Sequence, residues 1–285
     1  MSLAEPSLNE FCLAVMKIID FPITPLTEFR YLNAGSRGGS FYQERLPIHH
    51  ARVDQLPKGL DAIIVTADLQ GRERFQESQG GPLRLLGEVL PQRMVKEFLP
   101  ELEITAPSRV AALLAGDFYT VPALDKRGGT GDVSSVWRAF GDEFSWVAGV
   151  AGNHDMFGEK KDAPPRFPRH LYYLDGESIE LQGLRLGGLG GIIGNPERYQ
   201  RRSEEDYLFA LELLLEESPD VLLTHDGPRG TQPHQQGSAR VRDLITESLV
   251  SLVVRGHSHW DEPFIQYENG TQVLNVDARV VILSE

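Results

Sequence analysis

Nine polar residues close five apolar runs, and their types are those of metal ligation and proton transfer. "AIIVTADLQ" ends in Asp68 and Gln70, and "VAALLAGD" ends in Asp117. "VAGVAGNHD" ends in Asn153, His154 and Asp155. "VLLTH" ends in His225, and "LVVRGHSH" ends in His257 and His259. Taken singly, Asp117, Asn153 or His225 reads as an ordinary cap or turn residue. Taken together, they offer carboxylate and amide oxygens beside several imidazoles. That is too many donors for one tetrahedral zinc, and it suits a pair of borderline divalent ions. Two such ions can clamp a phosphoryl group and supply hydroxide near neutral pH.

The elements that must position these residues are strands. Short apolar runs alternate with longer amphipathic stretches, the pattern of an α/β protein. In open α/β sheets, sites form beyond the carboxyl ends of the strands. Asp68/Gln70 and His257/His259 are two apart, so each pair projects to one side of an extended chain. Gly116, Gly152 and Gly256 precede the polar residues, where a tight turn or close backbone approach favours a residue without Cβ. Helices are expected over Pro82–Leu99 (kinked at Pro91), Ser134–Phe140, Ser203–Glu217 and Ala239–Leu249. A hairpin with Asn269-Gly270 as its turn is expected near the end.

In this order, "D-x-Q", "GD", "GNHD", "THDGP" and "GHSH" resemble the calcineurin-like metallophosphoesterase superfamily. The resemblance runs from Asp68 to His259, about two-thirds of the chain. It implies two packed mixed β-sheets flanked by helices, a four-layer sandwich. It also implies a dinuclear, metal-dependent phosphohydrolase that uses metal-activated hydroxide, a phosphodiester being the favoured substrate. Asp68, Gln70 and His259 would hold one ion, Asn153, His225 and His257 the other, and Asp117 would bridge them. His154 would face the phosphate, with Asp155 orienting its imidazole. The commoner first motif is Asp-x-His; here Gln70, a weaker neutral donor, implies either a more loosely held first ion or a harder one. Manganese is the expected metal, with iron, zinc or nickel as substitutes. A binding module that keeps the fold without catalysis, and a nuclease of the same fold, are the alternatives.

Bulk properties bound these readings. The chain of 285 residues is read as one domain, with residues 1–60 of uncertain role because Pro22, Pro25, Pro47, Pro57 and "NAGSRGGS" interrupt it. The 41 acidic residues against 28 basic ones, net −13, argue against nucleic acid and leave a small phosphorylated substrate as the expected partner. Glu5 and Glu10 break any signal-peptide layout, no membrane-length apolar run occurs, and Cys12 is the only cysteine. A cytoplasmic location is therefore expected. Arg198, Arg201 and Arg202 read as a solvated helix start, and His49, His50 and His170 as surface or loop histidines. Trp260 reads as a packing or rim residue, and Asp226 as a stabiliser of its loop. Arg72, Arg74, "ALDKRGGTGD" and "RGTQPHQQG" are candidates for selectivity; within the last, Arg229 and His234 read first as solvated-loop residues and only second as contacts to a substrate phosphate.

Overall fold

Alternate residues of the strand Ala62–Ala67 face two different cores, and that alternation organises the molecule. The computed structural model describes residues 16–35, 39–75, 78, 80–126, 128–158 and 165–285. Glu5, Glu10, Cys12, Arg127 and residues 36–38 of the glycine-rich loop lie outside them.

In chain order the first strands are β1 (Ile18–Asp20), β2 (Thr27–Ala34), β3 (Phe41–Val53), β4 (Ala62–Ala67) and β5 (Val110–Leu114). Next come β6 (Gly131–Asp132), β7 (Trp146–Gly149), β8 (Asp155–Met156), β9 (Leu171–Tyr173) and β10 (Glu177–Leu181). They are followed by β11 (Leu184–Leu189), β12 (Ile192–Ile193), β13 (Arg201–Arg202) and β14 (Val221–Thr224). The last are β15 (Leu252–Arg255), β16 (Phe264–Gln266), β17 (Gln272–Asn275) and β18 (Arg279–Ser284). The α-helices among the described residues are α1 (Leu86–Arg93), α2 (Ser134–Glu143), α3 (Glu204–Glu216) and α4 (Ala239–Thr246).

One mixed sheet has the order β1-β3-β18-β4-β5-β7-β9, with β2 also paired to β3. A second has the order β10-β11-β14-β15-β17-β16. Within them β4, β5, β7 and β9 run parallel, as do β11, β14, β15 and β17. Ile63, Val65, Leu113 and Ala148 from the first sheet meet Leu186, Leu223, Val254 and Leu274 from the second in one buried cluster. The opposite faces pack on helices. Ile64, Ala112 and Leu114 meet Leu86, Val89, Val136 and Trp137 of α1 and α2. Leu222 and Val253 meet Tyr207, Leu211, Val241 and Ile245 of α3 and α4. The result is the expected four-layer order, helices–sheet–sheet–helices.

Helix ends follow local chemistry. Ser203 Oγ accepts from Asp206 N at 3.1 Å, and Glu204, Glu205 and Asp206 occupy the positive end of α3. Ser238 caps α4 in the same way at 3.2 Å. The helix expected over Pro82–Leu99 starts later, at Leu86, and changes form. After Pro91, which has no amide hydrogen, it widens into a π-turn over Met94–Phe98. The hairpin expected around Asn269-Gly270 is present: β16 pairs antiparallel with β17, and Gly270 adopts φ 90°.

The N-terminal stretch is more regular than its prolines suggest. β3 runs for 13 residues through Pro47 and pairs with the C-terminal strand β18. Leu26 N donates to Ile48 O at 2.8 Å, so Ile48 turns its amide toward β2 and Pro47 faces the other way. The missing Pro47 donor therefore interrupts no bond to β2. His49, expected at the surface, is buried in β3 and stacked on Phe21 at 5.5 Å.

Candidate functional site

Three strands end where an L-residue turns left-handed. Asp68 after β4, Asp117 after β5 and His257 after β15 have φ of 55°, 61° and 69°. Such conformations cost about 1–3 kcal/mol each and persist where surrounding contacts over-determine them. Here the contacts are mutual. Asp68 N donates to Gly116 O at 2.8 Å, and His257 N donates to Asp68 Oδ2 at 2.9 Å. A Cβ on Gly116 would collide with the backbone of Gly152, and a Cβ on Gly152 would collide with the Asp117 carboxylate. The two motif glycines thus let the exits of β5 and β7 touch.

Asp117 Oδ2 is the hub. It lies 3.3 Å from His225 Nε2, 4.0 Å from His154 Nε2, and accepts from Gln70 Nε2 at 3.1 Å. Donor atoms of Asp117, His225 and His257 all lie within 4.8 Å of one another. Asp68, Gln70, Asp117, His154 and His257 line an open cleft of about 270 Å³, with Tyr31, Asn33, Asp277 and Ala278 completing its wall. Asn153 and His225 sit beneath, buried; among the described residues Asn153 Oδ1 has no hydrogen-bond partner, and His225 Nε2 faces the Asp117 carboxylate. His259 stands apart from the cleft wall. Its side chain is 57% exposed, and Nδ1 is 2.9 Å from Asp277 Oδ2.

The polar triplet after β7 divides its work differently from the expectation. Asp155 does not hold the His154 imidazole. Its carboxylate accepts from Asp117 N and Phe118 N, both at 2.7 Å, and from Gly152 N at 2.9 Å. The imidazole is oriented instead by the Gly129 carbonyl, 2.8 Å from Nδ1. His154 N donates to Asp117 Oδ1 at 2.8 Å. Asp155 is fully buried where the two exits meet: two of its amide donors lie in the turn that carries Asp117, and the third, Gly152 N, lies in its own loop.

The charges show what the cluster requires. Burial lifts Asp68 well above the ordinary carboxylate range, and Asp277 adds to the shift. Burial, then the Asp117 charge, raises Asp155 to about 6. For Asp117 burial acts upward, but the neighbouring His225 outweighs it and holds the group below its usual value. Burial pulls His225 down; the carboxylates of Asp117 and Asp68 outweigh this and raise it to about 10. His225 Nδ1 lies 2.8 Å from Ala115 O, which fixes the ring with Nε2 toward Asp117. Two buried carboxylates, an imidazole and the partnerless Asn153 Oδ1 converge here, donor atoms a cation can use, so the donor set fits divalent metal.

Residues outside the cluster have other roles. Arg72, a selectivity candidate, is buried and donates to the carbonyls of Leu83, Thr120 and Val121 at 2.7–3.3 Å, so it fastens loops together. Arg201 and Arg202 form β13 rather than a helix start, and Arg202 pairs with Asp175 at 2.9 Å. Trp260 is fully buried and donates to Gln236 O, a packing role. Asp226 accepts from Ile193 N and Gly227 N at 3.0 Å and braces the loop after His225. Arg229 and His234 are exposed and do not line the cleft. Sequence reasoning missed Tyr31, Asn33 and Asp277, which lie far from the motifs in the chain. The adjacent glycines of "RGGTG" were the one signal for the Gly129 carbonyl.

The description "Calcineurin-like phosphoesterase" belongs to the family profile that matches residues 62–261. An uncharacterized protein of Haemophilus influenzae is 26% identical over 28% of this chain and 47% of its own length. The chain thus spans about half the length of that curated relative. The crystal structure of TT1561 from Thermus thermophilus shares the fold, with a TM-score of 0.51 and 18% identity over 77% of this chain and 90% of that one. A protein of unknown function from Aquifex aeolicus, AQ665, aligns over 78% of this chain and 95% of its own at 14% identity and a TM-score of 0.28. With the profile covering all five strand-end motifs, the chain belongs to the calcineurin-like phosphoesterase family.

Proposed function

We propose that the chain, acting as one domain, hydrolyses a phosphate ester or anhydride of a small molecule, with a phosphodiester preferred, using two divalent ions. Manganese is the first choice of metal. The supporting observation is the convergence of Asp117, His225 and His257 donors within 4.8 Å, beside a buried Asn153 Oδ1 that has no hydrogen-bond partner. Asp68, Gln70 and His259 would hold one ion, Asn153, His225 and His257 the second, and Asp117 both. Bound there, the ions supply Lewis acidity toward phosphoryl oxygens and acidify a water.

The chain's own groups do the rest. Gly129 O accepts a hydrogen bond from Nδ1–H of His154, so a proton held at Nε2 is the one available to a leaving oxygen. Asp155 holds the backbone on which Asp117 and His154 are mounted. Asp117 and Asp277 in the cleft wall disfavour an anionic substrate until cations are present, which makes turnover conditional on metal. The competing view, a module that binds without turnover, draws only on Gln70, whose amide nitrogen is the atom facing Asp117.

Hydrolysis of bis(p-nitrophenyl) phosphate and p-nitrophenyl phosphate, with Mn²⁺ and after chelation, tests the proposal. Metal-dependent release of nitrophenol, faster from the diester, is expected. No release from either substrate with Mn²⁺ present would sink it. Release from the monoester alone would overturn only the diester preference.

A further inference from the structure

Part of the cleft wall comes from Tyr31 and Asn33 of β2, which with its partner β3 precedes the matched family region 62–261. β2 and β3 pair antiparallel, with Phe29 opposite Leu46, Tyr31 opposite Glu44 and Asn33 opposite Tyr42. Directly opposed residues of antiparallel strands share a face, and alternate residues of one strand do so too. Phe29 and Leu46 anchor that face in the core. Farther along it, Tyr31 and Asn33 reach the cleft, together with Asp68, Gln70, Asp117, His154 and His257.

Tyr31 is held firmly. Only 3% of it is exposed, and its ring lies so close over Gly71 that a Cβ there would collide with it. The loop after Gln70 is tied to the same hairpin by paired bonds between Leu32 and Arg72, each 2.9 Å. Arg72 in turn grips Leu83, Thr120 and Val121. Asn33 Oδ1 accepts from Ala34 N at 2.8 Å, and the Asn33 side chain lies beside the Tyr31 phenol. A phenol carries a proton of its own to donate. Burial keeps that proton in place. Among the described residues no hydrogen bond uses it, and the surface left to the residue opens on the cleft.

We propose that the Tyr31 hydroxyl is a substrate-binding group that donates a hydrogen bond to a phosphoryl oxygen from the wall built by the β2–β3 hairpin. The hairpin is then part of the active site and not only an extension of the sheet. Tyr31 suits the position because a neutral donor adds no charge to a cleft already lined by Asp68, Asp117 and Asp277, and because its ring is fixed before substrate arrives. The inference rests on the phosphoesterase reading above.

The test uses Mn²⁺-loaded full-length protein, with inorganic phosphate as the probe in calorimetric titration and p-nitrophenyl substrates for kinetics. Tyr31→Phe keeps the ring over Gly71 and removes only the hydroxyl. Phosphate affinity is expected to fall about 10- to 100-fold, the loss of one hydrogen bond to a charged partner. KM rises by a similar factor, kcat falls less, and metal content stays unchanged. Asn33→Ala shifts phosphate affinity in the same direction by a smaller factor. Undiminished phosphate affinity in Tyr31→Phe overturns the inference. If that variant does not fold, undiminished affinity in Asn33→Ala overturns it instead. In either case an active natural protein leaves the hydrolase reading standing, whereas a natural protein that neither turns over nor binds phosphate removes both.

Discussion

His154 Nδ1 lies 2.8 Å from the carbonyl of Gly129, a residue 25 positions earlier that approaches from a different loop. The carbonyl can only accept, so Nδ1 carries a proton and Nε2 is left to the reaction. The same ring sits 4.0 Å from Asp117 Oδ2 through Nε2, on the wall of the cleft. His154→Ala is expected to lower kcat roughly 10²- to 10⁴-fold, the range for losing one general acid. Bound metal should remain, because His154 is not among the proposed ligands. Stopped turnover with full metal content supports the assignment; unchanged turnover contradicts it.

Asp117→Ala removes the oxygen nearest both His225 and Gln70. Metal content after Mn²⁺ loading is expected to fall sharply in this variant, with activity lost in parallel. Retention of all the metal would show that Asp117 is not the shared ligand.

Asp155 is a separate case because its work is structural. Truncation in Asp155→Ala leaves three buried backbone amides without their acceptor, and stability is expected to fall by about 3 kcal/mol or more. Urea unfolding of the metal-free protein measures this directly. A loss below about 1 kcal/mol would mean that water or relaxation satisfies those amides.

Acid sensitivity should have a contribution remote from the cleft. Burial is the main cause that lowers the pKa of His49, a strand residue stacked on Phe21. A histidine lowered in the fold binds fewer protons folded than unfolded, so stability rises with pH through that window. The stability is fully present above the unfolded value of about 6.5 and drains away as pH falls toward the folded value. His49→Phe keeps the stack and removes the titration. Its urea midpoint should fall less than that of the natural protein between pH 7 and pH 5. Parallel curves would rule out the assignment.

Gln70→His should strengthen the weaker of the two proposed metal positions, since imidazole is a better donor than an amide oxygen to borderline ions. Metal retained after desalting is expected to rise in the variant. No change would indicate that Gln70 already serves adequately, or that the first ion does not use this residue.

Much of the site was legible because it is built from strand ends. Apolar runs that close in Asp68, Asp117, Asn153, His225 and His257 identify themselves by composition, and parallel order carries them to one rim. Gly116 and Gly152 were readable for the same reason: a glycine before a polar ligand marks a close approach. What the sequence hid was long-range. Tyr31 and Asn33 reach the cleft only because β3 pairs with the C-terminal strand β18, a contact more than 200 residues apart in the chain. Pro47 disguised that strand, since its harmless placement depends on which way Ile48 turns its amide. Asp155 was misread because adjacency to His154 suggested a side-chain pair, whereas a two-residue strand at Asp155–Met156 directs its carboxylate into the backbone of the Asp117 turn. Arg72 was misread because exposure cannot be inferred for an arginine beside a motif.

The most direct test of the central claim is elemental analysis of the natural protein after Mn²⁺ loading and desalting, paired with diester turnover on the same sample. Close to two manganese ions per chain, with turnover that disappears on chelation and returns with Mn²⁺, is the result expected of a paired site centred on Asp117. Protein that retains no metal and turns over nothing at any Mn²⁺ concentration would contradict it.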